Sequence, residues 1–111
     1  MTRKKLKSIY YIEREIRMWE RKLQTLSGDP EQACIYRQNI RRLLARAQQN
    51  RKEIYDFIET IDDSYKRMLV NLRCVECLTW EQITDLLGGS SAAHKMYFQR
   101  YIIKAMQSPS E

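Results

Sequence analysis

Apolar positions in the first part of the chain recur at alternating intervals of three and four. Ile9, Ile12, Ile16, Trp19, Leu23 and Leu26 are spaced 3, 4, 3, 4, 3, the period of a heptad seam on one side of a helix. Ser27-Gly28-Asp29-Pro30 interrupts it with a glycine stop, an Asp29 cap and a proline suited to the first helical position. A second seam then runs through Ala33, Tyr36, Ile40, Leu43, Ala47, Asn50, Ile54, Phe57 and Ile61. Two seams joined by a tight break predict a coiled-coil-like antiparallel helical hairpin over 1–61, used for oligomerisation or docking. The second helix is the longer, so its seam near Ile54 and Phe57 needs another partner, either the rest of the chain or a second copy. A lone hairpin shields only one side of such stripes, and a homodimer is expected. The oligomer seam assigned on this basis is Ile12, Ile16, Trp19, Leu23, Ile40, Leu43, Ile54 and Phe57.

Beyond Ile61-Asp62-Asp63-Ser64, a cap between two helices, the pattern becomes that of three shorter helices over 62–111. Tyr65, Met68, Leu69, Leu72 and Val75 form the stripe of the first. Thr79 and Gln82, three residues apart, make a capping box for a second helix whose buried stripe is Trp80, Ile83 and Leu87. Gly88 and Gly89 supply the positive φ that reverses the chain, and Ser90 or Ser91 caps the third. There His94, Phe98, Tyr101, Ile102 and Ala105 are expected inward. Ala92, Met96, Gln99, Arg100, Ile103 and Lys104 lie opposite, with Lys95 at the edge. A capped helix, a glycine turn and a more basic helix read as a helix-turn-helix, which holds one helix while offering the next to the major groove of DNA. The fold class is therefore all-α, a helical hairpin followed by a three-helix helix-turn-helix unit.

Charge refines this picture. The chain has 111 residues, 31% charged, with only 3 Gly and 2 Pro, which suits one modest domain, or a small domain plus an extension, without a large substrate cavity. The net +6 is uneven. Residues 1–26 hold eight Lys or Arg against three Glu, 27–61 six against five, and 62–111 six against six. The C-terminal unit is thus formally neutral, and nonspecific DNA affinity scales with the phosphates that cations neutralise. Its acids Asp62, Asp63, Glu76, Glu81 and Asp85 fall on the first two helices, however. The third carries Lys95, Arg100 and Lys104 with no acid before Glu111. Arg3, Lys4, Lys5 and Lys7 form a basic N-terminus, either a solvated tail or phosphate contacts flanking the groove. No apolar stretch reaches membrane length and no apolar signal region follows the basic start, so a soluble cytoplasmic protein with no membrane partner is expected.

Ile61-Asp62-Asp63-Ser64-Tyr65-Lys66-Arg67-Met68-Leu69, then Leu78-Thr79-Trp80-Glu81-Gln82-Ile83, Leu87-Gly88-Gly89 and Arg100-Tyr101 resemble small phage and prophage proteins of low-GC Gram-positive bacteria. Their C-terminal half is similar to the fourth region of bacterial sigma factors, and ArpU-like late-gene regulators belong to the same broad set. The resemblance covers nearly the whole chain. His94 departs from it, standing where the pattern has valine. It implies a sequence-specific DNA-binding transcription regulator, with double-stranded DNA and RNA polymerase as partners. The positions assigned to the DNA face are Ser91, Ala92, Lys95, Met96, Gln99, Arg100 and Lys104. Lys95 and Arg100 would grip phosphate or guanine, and Gln99 would read adenine. Two alternatives are the DNA-recognition subunit of a phage packaging terminase, whose N-terminal helices build a ring, and a module that docks on RNA polymerase without reading bases.

Other candidate chemistry reads as packing. Cys74 and Cys77 have CxxC spacing, and Cys34 and His94 would complete four ligands on paper, but the pair sits in a helical pattern without a second pair. Buried or half-buried thiols are the expectation, with no metal and no cofactor. His94 has no nucleophile or carboxylate at motif spacing, which leaves a helix-core or phosphate-contact role. No phosphate-cradling glycine loop, paired catalytic carboxylates or triad is present, so an enzyme is not expected. Trp19 reads as seam packing, and Asn50 either as a buried register-setter or as a solvated residue near the open end.

Overall fold

Every regular element of the computed structural model is helical, and the structure describes residues 1–106. The C-terminal unit expected over 62–111 is thus described up to Met106, and Glu111 lies outside. Helix α1 is Arg3–Thr25 and α2 is Pro30–Glu59. Helix α3, Ser64–Val70, runs on into a π-helical segment Asn71–Val75. Helix α4 is Trp80–Leu87; α5, Ser91–Tyr97, continues as a π-helical segment Phe98–Ile103 and a short 3-10 turn Lys104–Met106.

Local chemistry sets the ends of these helices. The Thr2 hydroxyl accepts from the Lys5 amide at 3.1 Å and starts α1. Gly28 turns the chain at φ 75°, and the Asp29 carboxylate accepts from the Gln32 amide at 3.1 Å with Pro30 opening α2. Asp63 caps α3 through the Tyr65 amide at 2.9 Å. Both halves of the capping box form, Gln82 N–H to Thr79 Oγ1 at 3.2 Å and Thr79 N–H to Gln82 Oε1 at 2.8 Å. Ser90, not Ser91, caps α5.

Helices α1 and α2 pack antiparallel. Ile12 and Ile16 are buried against Leu43 and Ala47, with Trp19 and Ile40 alongside, and the Trp19 and Tyr36 rings stand 5.3 Å apart. Asn50 is 7% exposed, donates to Ser8 Oγ at 2.9 Å and accepts from Lys5 Nζ at 3.3 Å. A buried amide satisfied from the facing helix fixes the register of the pair, because a slip would leave it unpaired. Arg51 and Glu13 pair at 2.6 Å beside it.

A second core joins the two parts of the chain. Leu6, Ile9 and Ile54 are buried with Leu69, Val70, Cys74, Val75, Trp80, Ile83, Phe98, Ile102 and Ile103, and Phe57 packs against them. The far end of the α2 seam therefore finds its partner within the chain. This bears on the residues of the expected oligomer seam. Ile12, Ile16, Leu43 and Ile54 are buried within one chain, whereas Trp19, Leu23, Ile40 and Phe57 are half-buried and keep part of their surface. The physical reason is that the C-terminal unit folds over the ends of α1 and α2 and covers apolar surface that a partner copy would otherwise need to shield.

The C-terminal helices also differ from expectation in which residues face inward. In α3 the core lies on the side of Leu69 and Val70, both fully buried, and leaves Met68, expected inward, 40% exposed. The two π-helical segments then change the period itself. A π turn closes an i→i+5 bond and takes in roughly one residue more than an α turn, as in the Glu76 amide donating to the Asn71 carbonyl at 3.0 Å. Each segment shifts the phase of the residues within and beyond it. In the continuation of α5, Tyr101 and Ala105 face solvent, and Ile103, expected outward, is buried.

Candidate nucleic-acid interface

The inward side of α5 is held from three directions. The Ser91 hydroxyl lies 2.9 Å from Thr84 Oγ1 and donates to the Trp80 carbonyl at 3.3 Å, tying the first turn of α5 to α4. Ser91 is half-buried, and its hydroxyl is engaged inside the fold. His94 Nε2 lies 2.7 Å from the Gly88 carbonyl and Nδ1 lies 2.6 Å from Tyr65 Oη. A carbonyl only accepts, so Nε2 carries the proton, and in the neutral ring Nδ1 accepts from the tyrosine hydroxyl. The imidazole thus bridges the glycine turn to α3. Gly88 and Gly89 have φ 79° and 80°, and a Cβ on Gly89 would stand 3.4 Å from His94 Nε2. Aromatic contacts complete the hold, Tyr65 with Tyr97 at 4.5 Å and Trp80 with Phe98 at 5.4 Å. The Tyr97 hydroxyl donates to Asp63 at 3.2 Å.

With that side fixed, Ala92, Lys95, Met96, Gln99, Arg100 and Lys104 are all exposed. They form a surface with two small or apolar side chains, one amide and three cations, and no acid among the described residues of α5 and its continuation. Gln99 borders a cleft of about 330 Å³ whose other walls include Lys7, Tyr10 and Arg73. Arg73 is itself pinned, donating to the Leu78 carbonyl at 2.8 Å and lying 4.6 Å from the centre of the Trp80 ring.

The basic N-terminus is not a tail. Arg3, Lys4, Lys5 and Lys7 all lie in α1, anchored by the buried Leu6. Lys5 pairs with Glu53 at 2.8 Å and donates to Asn50, and the pairing holds the Glu53 carboxyl below its usual range. Lys4 and Lys7 are exposed, Lys7 beside Gln99, and Arg3 is half-buried.

Two of the three thiols are inert by environment. Burial pushes Cys74 up to about 12 and Cys77 up to about 11, so neither holds the thiolate that nucleophilic or metal chemistry needs near neutral pH. Cys34 is exposed on α2. Among the described residues no group of three or more His, Cys, Asp or Glu is placed to hold a metal ion. No described helix is long and apolar enough to cross a membrane. Comparison of the chain with family models, with curated proteins and with solved structures gave no match.

Proposed function

We propose that α4, the glycine turn and α5 act as a helix-turn-helix of the sigma-region-4 type, and that the chain is a cytoplasmic, sequence-specific DNA-binding transcription regulator of phage or prophage kind rather than an enzyme. The observation that carries this reading is the acid-free face of Lys95, Met96, Gln99 and Arg100 on a helix whose opposite side is locked by Ser91 and His94. Rigid presentation matters because base-edge contacts are geometric, and a good bidentate pair distinguishes its base by about 1–3 kcal/mol. The resemblance in residues 61–69, 78–83, 87–89 and 100–101 supports the same reading. Where two half-sites are read, we place the homodimer contact on the outer flank of α2 around Leu44 and Tyr55, which are 50% and 49% exposed, because the most buried part of the heptad seam is packed within the chain.

Docking on RNA polymerase is the second reading. It draws on Leu86, 65% exposed on α4, and on Met96, 51% exposed; Ile103, which would have enlarged that apolar surface, is buried. A ring-building packaging subunit is favoured less, since much of the stripe that would make the ring is packed inside the chain. The test is selection of the full chain on a pool of random-sequence duplexes. Recovery of one short motif is expected. Unbiased recovery, with polymerase nevertheless bound, would favour the docking reading.

A further inference from the structure

The outer side of α1 carries a second period, offset from its apolar seam. Lys7, Tyr10, Arg14, Arg17 and Arg21 follow one another at 3, 4, 3, 4, so they line one side of the helix. All five are exposed. Between Lys7 and Arg21 the stripe is about 21 Å long at the helical rise, matching roughly six base pairs of duplex at 3.4 Å each.

Like charges at i, i+3 and i, i+4 disfavour a helix. Among the described residues, Lys7, Arg14, Arg17 and Arg21 take part in no ion pair. Two acids of α1 flank the stripe, Glu13 four residues before Arg17 and Glu20 three after it. Glu13 is paired with Arg51, and Glu15 borders a different cleft with Arg42 and Arg46. Glu20, one residue before Arg21, takes part in no ion pair among the described residues. Arg14 is oriented by Tyr10, donating to its hydroxyl at 2.7 Å with the guanidinium 5.2 Å from the ring centre, which leaves further donors directed outward.

The stripe leads to the reading helix. Lys7 and Tyr10 face Gln99 and Arg73 across one cleft. We propose that Lys7, Arg14, Arg17 and Arg21 form a phosphate track that grips the backbone of the same DNA duplex whose bases α5 addresses. This rests on the DNA-binding reading above and adds to it a surface outside the C-terminal unit. The track supplies the positive charge that unit lacks and gives affinity without sequence information, which phosphate contacts do not carry.

The test measures the affinity of the full chain for duplex DNA as a function of salt, with Arg17→Gln/Arg21→Gln set against a charge-matched control, Arg42→Gln/Arg46→Gln, on the other cleft. In the first variant the slope of log affinity on log salt should flatten by about 1.8, at 0.9 for each contact. The wild-type advantage would then shrink about tenfold between roughly 50 and 200 mM salt. The change should be equal on selected and random duplexes, thermal stability should be retained, and the control should keep the wild-type slope. Glu20→Gln should tighten binding. Equal flattening in both double variants, an unchanged slope, or preference for duplex RNA over DNA would overturn the track. Sequence preference with an unchanged slope would overturn the track alone. Salt-dependent binding that is lost with the arginines but shows no sequence preference would overturn base reading and leave the track standing. No DNA binding at low salt would overturn both.

Discussion

Replacing Ile9 with aspartate should destabilise the whole chain, not the α1–α2 pair alone. Ile9 has no exposed surface and sits in the core shared by α1, α2 and the C-terminal helices. An unpaired carboxylate there costs at least about 4 kcal/mol, against a total of roughly 5–15 kcal/mol for a domain. The two tryptophans report separately, Trp19 from the α1–α2 interface and Trp80 from the second core. In wild-type protein their fluorescence transitions in denaturant should coincide, the mark of one cooperative unit. In Ile9→Asp both transitions should move together to much lower denaturant. A variant that exposes Trp19 while Trp80 keeps its native signal would mean that residues 62–106 fold independently. Deletion of residues 1–7 is for the same reason no clean probe of the basic N-terminus, because Leu6 would go with them; charge-removing substitutions are the usable form.

His94→Ala is expected to be the most damaging single change in the turn between α4 and α5, at about 2–4 kcal/mol. It leaves the Gly88 carbonyl and the Tyr65 hydroxyl without their partner and opens a void beside Gly89. Tyr65→Phe removes only one bond and should cost about 1 kcal/mol. Because the imidazole bridges α3 to the turn, the two changes should couple, with the double variant losing less than the sum. Urea unfolding of the four proteins measures this. Additive losses, or a loss below about 1 kcal/mol for His94→Ala, would show that the turn is held by its glycines and Ser91 alone.

The helical character of the chain and most helix boundaries are legible in the sequence because they depend on local signals: Asp29-Pro30, Asp63, the Thr79–Gln82 box, and Gly88-Gly89. The facing of residues is legible only while the helix keeps an α period and its neighbours are known. Met68 fails on the second count, since the stripe of α3 is broad and the core settles on its Leu69–Val70 side. Tyr101, Ala105 and Ile103 fail on the first, because the period changes after Tyr97 as it does after Val70. No residue in either stretch advertises a π turn; it arises where Cys74, Val75, Ile102 and Ile103 all find space in one core. The seam is legible as apolar stripes but not as to what covers them, since spacing describes a helix face and not its partner. Asn50 is recognisable as a seam polar residue, whereas its partners Ser8 and Lys5 lie 42 and 45 positions away and emerge only from the register of the pair. In α5, exposure of Lys95, Met96, Gln99 and Arg100 is readable from the face opposite His94 and Phe98. The use of Ser91 is not, because a serine one position past the cap serves solvent, DNA or the preceding helix equally well.

DNA recognition through α5 is tested most directly by the affinity of the full chain for its selected duplex, before and after Lys95→Ala/Arg100→Ala, at one salt concentration and with helicity checked by circular dichroism. Each side chain that reaches a guanine edge contributes about 1–3 kcal/mol, so a loss of roughly five- to 150-fold per contact is expected on the selected duplex. On a scrambled duplex the loss should be much smaller. Unchanged affinity in a folded double variant, or equal wild-type affinity for selected and scrambled duplexes, would contradict base reading by this helix.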